Sequence, residues 1–335
     1  MIDLPFSSFR LHFHTGQPPK LPHYAGSTWR GALGHALKRT VCVVRDTPCA
    51  KCMLNRSCAY PYLFETPPSP DSSKMKRYNA APHPYVLAID PAQNSQEYSL
   101  GLTLFGRGQS FLPHLIHALG KAGVQGLGKY RQRFELTGVT QHHLTPNPGD
   151  CSLIFQPGDP LQPLQSYIPE LPPCPERLRI EFMTPLRLRR EEHYVTPDTF
   201  RFSDLFGNLL RRISMLSHFH TDTPLETDFA GLTQQARSVE YLESQLRWWD
   251  WTRYSTRQDS EMQMGGLLGY VDLDGQTITD FWPYLWLGQW THAGKAATMG
   301  LGQFRLVSLF FARTPSCGEN PGGSRIEKVA CHEPL

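Results

Sequence analysis

The sequence predicts an α+β fold built from two tandem ferredoxin-like (RRM-like, βαββαβ) domains. Three observations predict it: an internal repeat, the order of strand and helix patterns in each half, and a proline-rich stretch between the halves. Residues 120–131, GKAGVQGLGKYR, are echoed at 294–305 by GKAATMGLGQFR, with seven of twelve positions identical. Phe111-Leu112-Pro113 is matched by Phe281-Trp282-Pro283, and Ser27 to Leu33 more weakly by Ser203 to Leu209. The strand-like runs Leu11–Thr15 and Ile180–Thr184 precede these. The separations are 169, 176, 170 and 174 residues, so the order survives with small insertions. Self-similarity of this kind marks a duplicated structural unit.

Each half then reads strand, helix, strands, helix, strand, the split βαβ order. In the first half, residues 9–14 alternate as a strand does. Trp29, Leu33, Leu37 and Val41 recur every four residues, predicting a helix over 26–41 with Ser27 as its cap. Residues 84–90 and 97–106 read as strands, the second with Tyr98, Leu100, Leu102 and Leu104 on one face. Leu112, Leu115, Ile116 and Leu119 give a helix over 109–120, and a strand follows at 130–140. The second half predicts strands at 178–184, 266–274 and 303–312 and helices at 202–218, about 234–248, and 281–291. Residues 156–176 hold seven prolines and read as a linker between domains at 1–155 and 177–312. Residues 313–335 read as a flexible tail.

Composition narrows the function classes. A chain of 335 residues with 40% apolar residues can bury two ordinary cores. A net charge of +3 permits a nucleic-acid partner without demanding one. Met1–Pro5 shows no secretory pattern, and the most apolar window, Phe281–Trp290, is too short for a bilayer span. The expectation is a soluble intracellular protein.

Four of the eight cysteines, Cys42, Cys49, Cys52 and Cys58, lie within seventeen residues. A Cys-x-x-Cys pair with two flanking cysteines can supply the closed thiolate shell of a structural zinc, which leaves no open position for catalysis. An iron–sulfur cluster or a set of free buried thiols are the other readings. The glycines at 120, 126 and 128, and their counterparts Gly294, Gly300 and Gly302, allow tight turns and close backbone approach. Exposed N–H groups there would form an anion nest, helped by Lys121 or Lys295, although glycines needed only for packing fit equally well. His23 and Tyr24 precede the first helix, and His35 and Lys38 lie on it. Such groups can supply the proton acceptor, proton donor and cation that metal-independent RNA cleavage needs. Basic and aromatic residues interleave at Lys129–Phe134 and from Arg247 through Arg253 to Arg257, a pattern suited to phosphates and unpaired bases. Trp248 reads instead as core.

These motifs together resemble the CRISPR precursor-RNA processing endoribonucleases of the RAMP superfamily, in the subgroup with an inserted cysteine motif. The residues that carry the resemblance are His23–Gly34, Cys42 to Cys58, Tyr60–Phe64, Gly265–Gly269, Gly294-Lys295 and Gly300-Leu301-Gly302. The resemblance implies a cytoplasmic prokaryotic protein that cuts repeat RNA to crRNA without a catalytic metal, leaving 2′,3′-cyclic phosphate and 5′-hydroxyl ends. It implies His35 or His23 as the base, assisted by Tyr24 and Lys38. It places RNA contacts at Arg30, Lys129, Arg131, Arg253, Arg257, His292, Gly294, Lys295, Gly300 and Gly302. Other CRISPR effector subunits are expected partners. The other function class compatible with the resemblance is a crRNA-holding subunit that does not cut.

Overall fold

The computed structural model describes residues 2–67, 81–90, 93–144, 150–165, 168–255, 260–311 and 326–330. The first domain runs β1 (Phe6–His14), α1 (Gly26–Val41), β2 (Tyr85–Ala88), β3 (Glu97–Phe105), α2 (Leu112–Gln125), β4 (Glu135–His142) and β5 (Cys151–Phe155). The second begins with β6 (Arg177–Leu186) and the small hairpin β7 (Arg189–Arg190) and β8 (His193–Tyr194). It continues through α3 (Phe202–His220), α4 (Phe229–Gln235), β9 (Glu243–Trp249), β10 (Thr252–Ser255), β11 (Ser260–Gln263) and β12 (Gly266–Asp274). It closes with α5 (Gly275–Ile278), α6 (Trp282–Thr291), β13 (Phe304–Phe311) and β14 (Ile326–Ala330).

Both main sheets are antiparallel, in the orders β2-β3-β1-β4-β5 and β14-β13-β6-β12-β9. Removing β5 and β14 leaves the same ferredoxin-like order twice. The duplication therefore includes a fifth strand on the same edge of each sheet. Ile326–Ala330, within the stretch read as a tail, pairs along β13 in that position.

The strands obey the period-two rule, and this fixes where the helices lie. In β1, Phe9, Leu11 and Phe13 enter one core with Trp29, Leu33 and Leu37 of α1 and Leu115 and Leu119 of α2. Arg10, His12 and His14 alternate with them on the opposite face. The second core gathers Ile180 and Phe182 of β6, Leu209 and Ile213 of α3 and Leu285 of α6. It also takes Leu4, Phe6, Val86 and Phe105 from the first domain, with Phe6 against Trp290 at 5.2 Å. The domains thus share a continuous apolar seam.

Two local expectations fail for physical reasons. The helix expected at 234–248 is instead the short α4 followed by the edge strand β9, which pairs with β12. Only Leu246 and Trp248 of that strand turn inward, so its alternation is weak in the sequence. Ser27 does not cap α1; the position before the helix is Ala25, and no side chain bonds there.

Gly31 lies on the exposed side of α1, where an added Cβ would meet nothing within 4 Å. Glycine inside a helix loses more backbone freedom than alanine. Gly31→Ala is therefore expected to raise stability by about 0.5–1 kcal/mol, read as a higher urea midpoint at constant slope.

Candidate functional site at the domain junction

The loop between α6 and β13 is where the two domains meet most intimately. Gly294, Gly300 and Gly302 have φ of 78°, 85° and 68°, and Ala296 also adopts positive φ. Glycine is needed here for space as well as conformation. A Cβ on Gly302 would stand 1.7 Å from the Ala293 carbonyl oxygen, and one on Gly300 would stand 2.8 Å from that of Leu87 in β2. From the other side, a Cβ on Gly26 at the start of α1 would sit 1.7 Å from the Met299 carbonyl oxygen. Glycines of both domains therefore let a loop of one press against a helix start of the other.

Tyr24 locks this contact. It is buried, and its hydroxyl donates to the Gly300 carbonyl at 2.7 Å, an oxygen that also accepts from Thr184 Oγ1 at 2.8 Å. Burial pushes the Tyr24 phenol far above its ordinary value. In this structure the Tyr24 proton is committed to a carbonyl, which does not suit the expected role in proton transfer and suits one of holding the junction. Gly26→Val should drive the loop off α1 and destabilise the protein by about 3 kcal/mol, the upper part of the usual overpacking range. Thermal unfolding would report it.

The loop is not the open anion nest expected from its glycines. The Gly294 N–H donates to Asn208 Oδ1 at 2.6 Å and the Lys295 N–H to the Arg187 carbonyl at 2.9 Å. The N–H groups of Ala293, Met299, Gly300 and Gly302 are likewise spent on carbonyls of Gly302, Ala296, Ala297 and Pro185. Gly300 and Gly302 are buried, so they shape the loop rather than touch a strand, while the Lys295 side chain is exposed. In the first copy the likeness is partial: Gly120, Lys121 and Ala122 belong to α2, and only Gly126 and Gly128 turn with positive φ.

His292 is also corrected. It is buried, its Nδ1 stands 3.3 Å from the Leu301 carbonyl, and burial with the nearby Arg212 holds its pKa down near 3. A ring so enclosed does not meet RNA. Arg30 is half-buried with its guanidinium 5.3 Å from the Phe64 ring centre, next to His83 and Tyr85.

What remains exposed at the junction is His23. Its ring lies 5.4 Å from that of Trp249, edge to face, and Trp251 packs on Tyr24 at 5.0 Å. Upstream, Lys20 donates its backbone N–H to Gln132 Oε1 at 2.7 Å, which joins this segment to the turn carrying Lys129, Tyr130, Arg131 and Arg133. Lys129, Arg131 and Arg133 are exposed, and Tyr130 is 66% exposed. Three cations and a ring therefore stand on the turn bonded to the segment just before His23. Arg253 lies in β10, and its side chain and Arg257 lie outside the described residues.

His35 and Lys38 are exposed but stand elsewhere. At 1.5 Å per residue, His35 is roughly 14 Å along α1 from Gly26. Lys38 Nζ lies over the Tyr60 ring at 5.3 Å, beside the cysteine segment. The structure brings His23 and Tyr24 to the glycine loop and leaves His35 and Lys38 apart from it. Thr184, Asn208 and Arg187, which hold the loop, carry no sequence motif of their own.

The four cysteines are half-buried thiols, with Cys42 Sγ donating to the Val44 carbonyl at 3.3 Å. Burial and Glu65 push the Cys49 thiol upward, away from the thiolate form a metal prefers. Among the described residues, no three His, Cys, Asp or Glu side chains are grouped so as to hold an ion. The donor chemistry suits zinc; the arrangement does not present a formed site.

The sheet faces opposite the helices offer few free cations. On the second, Arg179 forms two bonds to Asp272 at 2.7 and 2.9 Å beneath Tyr270, and Arg305 pairs with Glu181 at 2.8 Å. On the first, His14 faces Glu97 at 2.8 Å and His12 faces Thr140 at 3.0 Å. No helix among the described residues is long and apolar enough to cross a membrane.

Two ferredoxin-like domains, joined at a glycine-rich loop of the second, define a tandem ferredoxin-like protein. A family model described as an N-terminal domain matches residues 4–167, and that of the CRISPR-associated endoribonuclease Cas6 matches residues 180–304. The fold is shared with Thermus thermophilus Cas6 in its product complex: TM-score 0.54, 18% identity, 90% of this chain and 98% of that one. A partial Cas6-RT-Cas1–Cas2 complex also contains it, with TM-score 0.53, 12% identity and coverage of 90% and 46%. An uncharacterized Archaeoglobus fulgidus protein is 28% identical over 118 residues, which span 33% of this chain and 39% of that relative. Residues 180–304 thus match the Cas6 endoribonuclease model, and the chain as a whole shares the fold of the Cas6 structures.

Proposed function

We propose that this chain cleaves CRISPR repeat RNA to crRNA guides at the domain junction, without a catalytic metal. The observation that carries the reading is the seating of exposed His23 between the Trp249 ring and the α1–glycine-loop contact. In this reading His23 takes the proton of a ribose 2′-hydroxyl, whose oxygen attacks the adjacent phosphorus. The bond to the 5′-oxygen breaks, that oxygen takes a proton from solvent, and 2′,3′-cyclic phosphate and 5′-hydroxyl ends result. Lys295, Lys129 and Arg131 are placed to hold phosphates, and Trp249 to stack an unpaired base. Tyr24, Gly300 and Gly302 act by fixing the junction. The product complex of the related Cas6 supports a crRNA ligand, and the Cas6-RT-Cas1–Cas2 complex supports association with other CRISPR proteins.

The test is cleavage of a cognate repeat RNA in EDTA, beside the same RNA with a 2′-deoxyribose at the scissile nucleotide. Cutting of the first alone is expected. Binding without product from either would make the chain a crRNA-holding subunit. Structural zinc at Cys42, Cys49, Cys52 and Cys58 is a separate proposal, requiring the segment to close around the ion. Elemental analysis should find close to one zinc per chain, and a metal-free preparation of unchanged stability overturns it.

A further inference from the structure

A pocket lies on the seam, lined by none of the residues of the proposed cutting site. Its volume is about 370 Å³, and it is formed where the segment from Asn55 to Pro67, the turn at Arg107 and the end of α3 converge. That volume lies at the small end of ligand pockets and suits one nucleotide rather than a duplex. Arg56, Arg107, His218 and His220 line it together with the Tyr62 and Phe219 rings, and among the described residues no carboxylate lines it.

The wall is rigidly built. Tyr62 Oη stands 2.9 Å from His220 Nδ1, and His220 Nε2 stands 2.7 Å from the Pro82 carbonyl. A carbonyl can only accept, so Nε2 carries the proton, and Nδ1 accepts from the tyrosine. The His220 ring is thereby neutral and fixed. Arg107 is aimed by two anchors: Nη1 donates to Asp222 at 2.9 Å and Nη2 to the Phe219 carbonyl at 2.9 Å. Asp222 is almost fully exposed and does not line the pocket. Arg56 is exposed at the rim.

Two guanidinium groups and aromatic walls, with no acid among the described lining residues, make a site for a ring bearing a phosphate. We infer that this pocket binds one unpaired nucleotide through its phosphate and base. This deepens the RNA reading by adding a contact away from the scissile phosphate, and it rests on that reading only for the source of the nucleotide.

The experiment titrates the full chain with adenosine 5′-monophosphate, adenosine, inorganic phosphate and a short single-stranded oligoribonucleotide, read by calorimetry. The monophosphate should bind more tightly than adenosine or phosphate. Arg56→Gln and Arg107→Gln should each weaken it roughly tenfold, as expected for a lost charge-assisted bond. Asp222→Asn removes the same ion pair but keeps the Arg107 charge, so it should bind at least as well as the wild type. Competition between monophosphate and oligonucleotide assigns the site to an RNA strand; independent binding assigns it to a free nucleotide. Monophosphate binding no tighter than adenosine, or unmoved by both arginine variants, overturns the proposal. His23→Ala should leave monophosphate binding intact, so failure here and failure of the cutting site are read separately.

Discussion

His23→Ala is expected to lower the rate of repeat-RNA cleavage by roughly 10²–10⁴-fold, the usual contribution of a positioned general base. Binding of the uncut RNA should fall far less, because the exposed cations Lys129, Arg131 and Lys295 are untouched. His35→Ala is the decisive comparison. It sits on α1, which His23 only precedes, is also exposed, and lies roughly 14 Å beyond the junction. One scissile phosphate cannot be within hydrogen-bond reach of the junction and of His35 together. Full activity in His35→Ala with loss in His23→Ala places the chemistry at the glycine loop. The reverse result moves it to the outer face of α1 near Lys38 and removes His23 from the mechanism. A Tyr24→Phe variant adds a third readout. Losing its bond to the Gly300 carbonyl should cost about 1 kcal/mol of stability, while cleavage by the folded fraction persists.

The fold was legible because its signals are repeated and long. The Gly-Leu-Gly echo, the four-residue spacing in α1 and the alternating Tyr98–Leu104 face each correspond to elements that bury one side completely. β9 and the outer strands were less legible because an edge strand buries only a few residues and leaves little periodic trace. The site was half legible. Sequence spacing showed His23, Tyr24 and the second glycine loop, but not that they meet across the seam. It also suggested free N–H groups at the loop, whereas Asn208 and the carbonyls of Arg187 and Pro185 consume them. Such partners lie 86 to 117 residues away, so no local pattern announces them. The histidines were the least legible. His12, His220 and His292 are engaged with partners of their own, and only burial separates them from the exposed His23.

That burial makes the second large prediction, a steep loss of stability in mild acid. Burial holds the pKa of His83 near 3, of His220 near 4 and of His292 near 3, with the cations Arg30, Arg107 and Arg212 acting in the same direction. In the unfolded chain each ring takes a proton near its ordinary 6.5. The unfolded state therefore binds more protons below that value. The contribution of these rings is complete above pH 6.5 and is lost as pH falls toward their folded values. Each contributes up to about 1.4 kcal/mol per pH unit below 6.5, so three rings lose on the order of 6 kcal/mol between pH 7.5 and 5, comparable with the whole stability of an ordinary domain. Urea midpoints measured from pH 7.5 down to about pH 5 should show a slope approaching three protons. His220 ties α3 to Tyr62 and Pro82 across the seam, and the second core takes residues of both domains, so tryptophan emission and secondary structure should be lost together. A slope of less than one proton would show that these rings keep access to water, and the seam would then be looser than its hydrogen bonds imply.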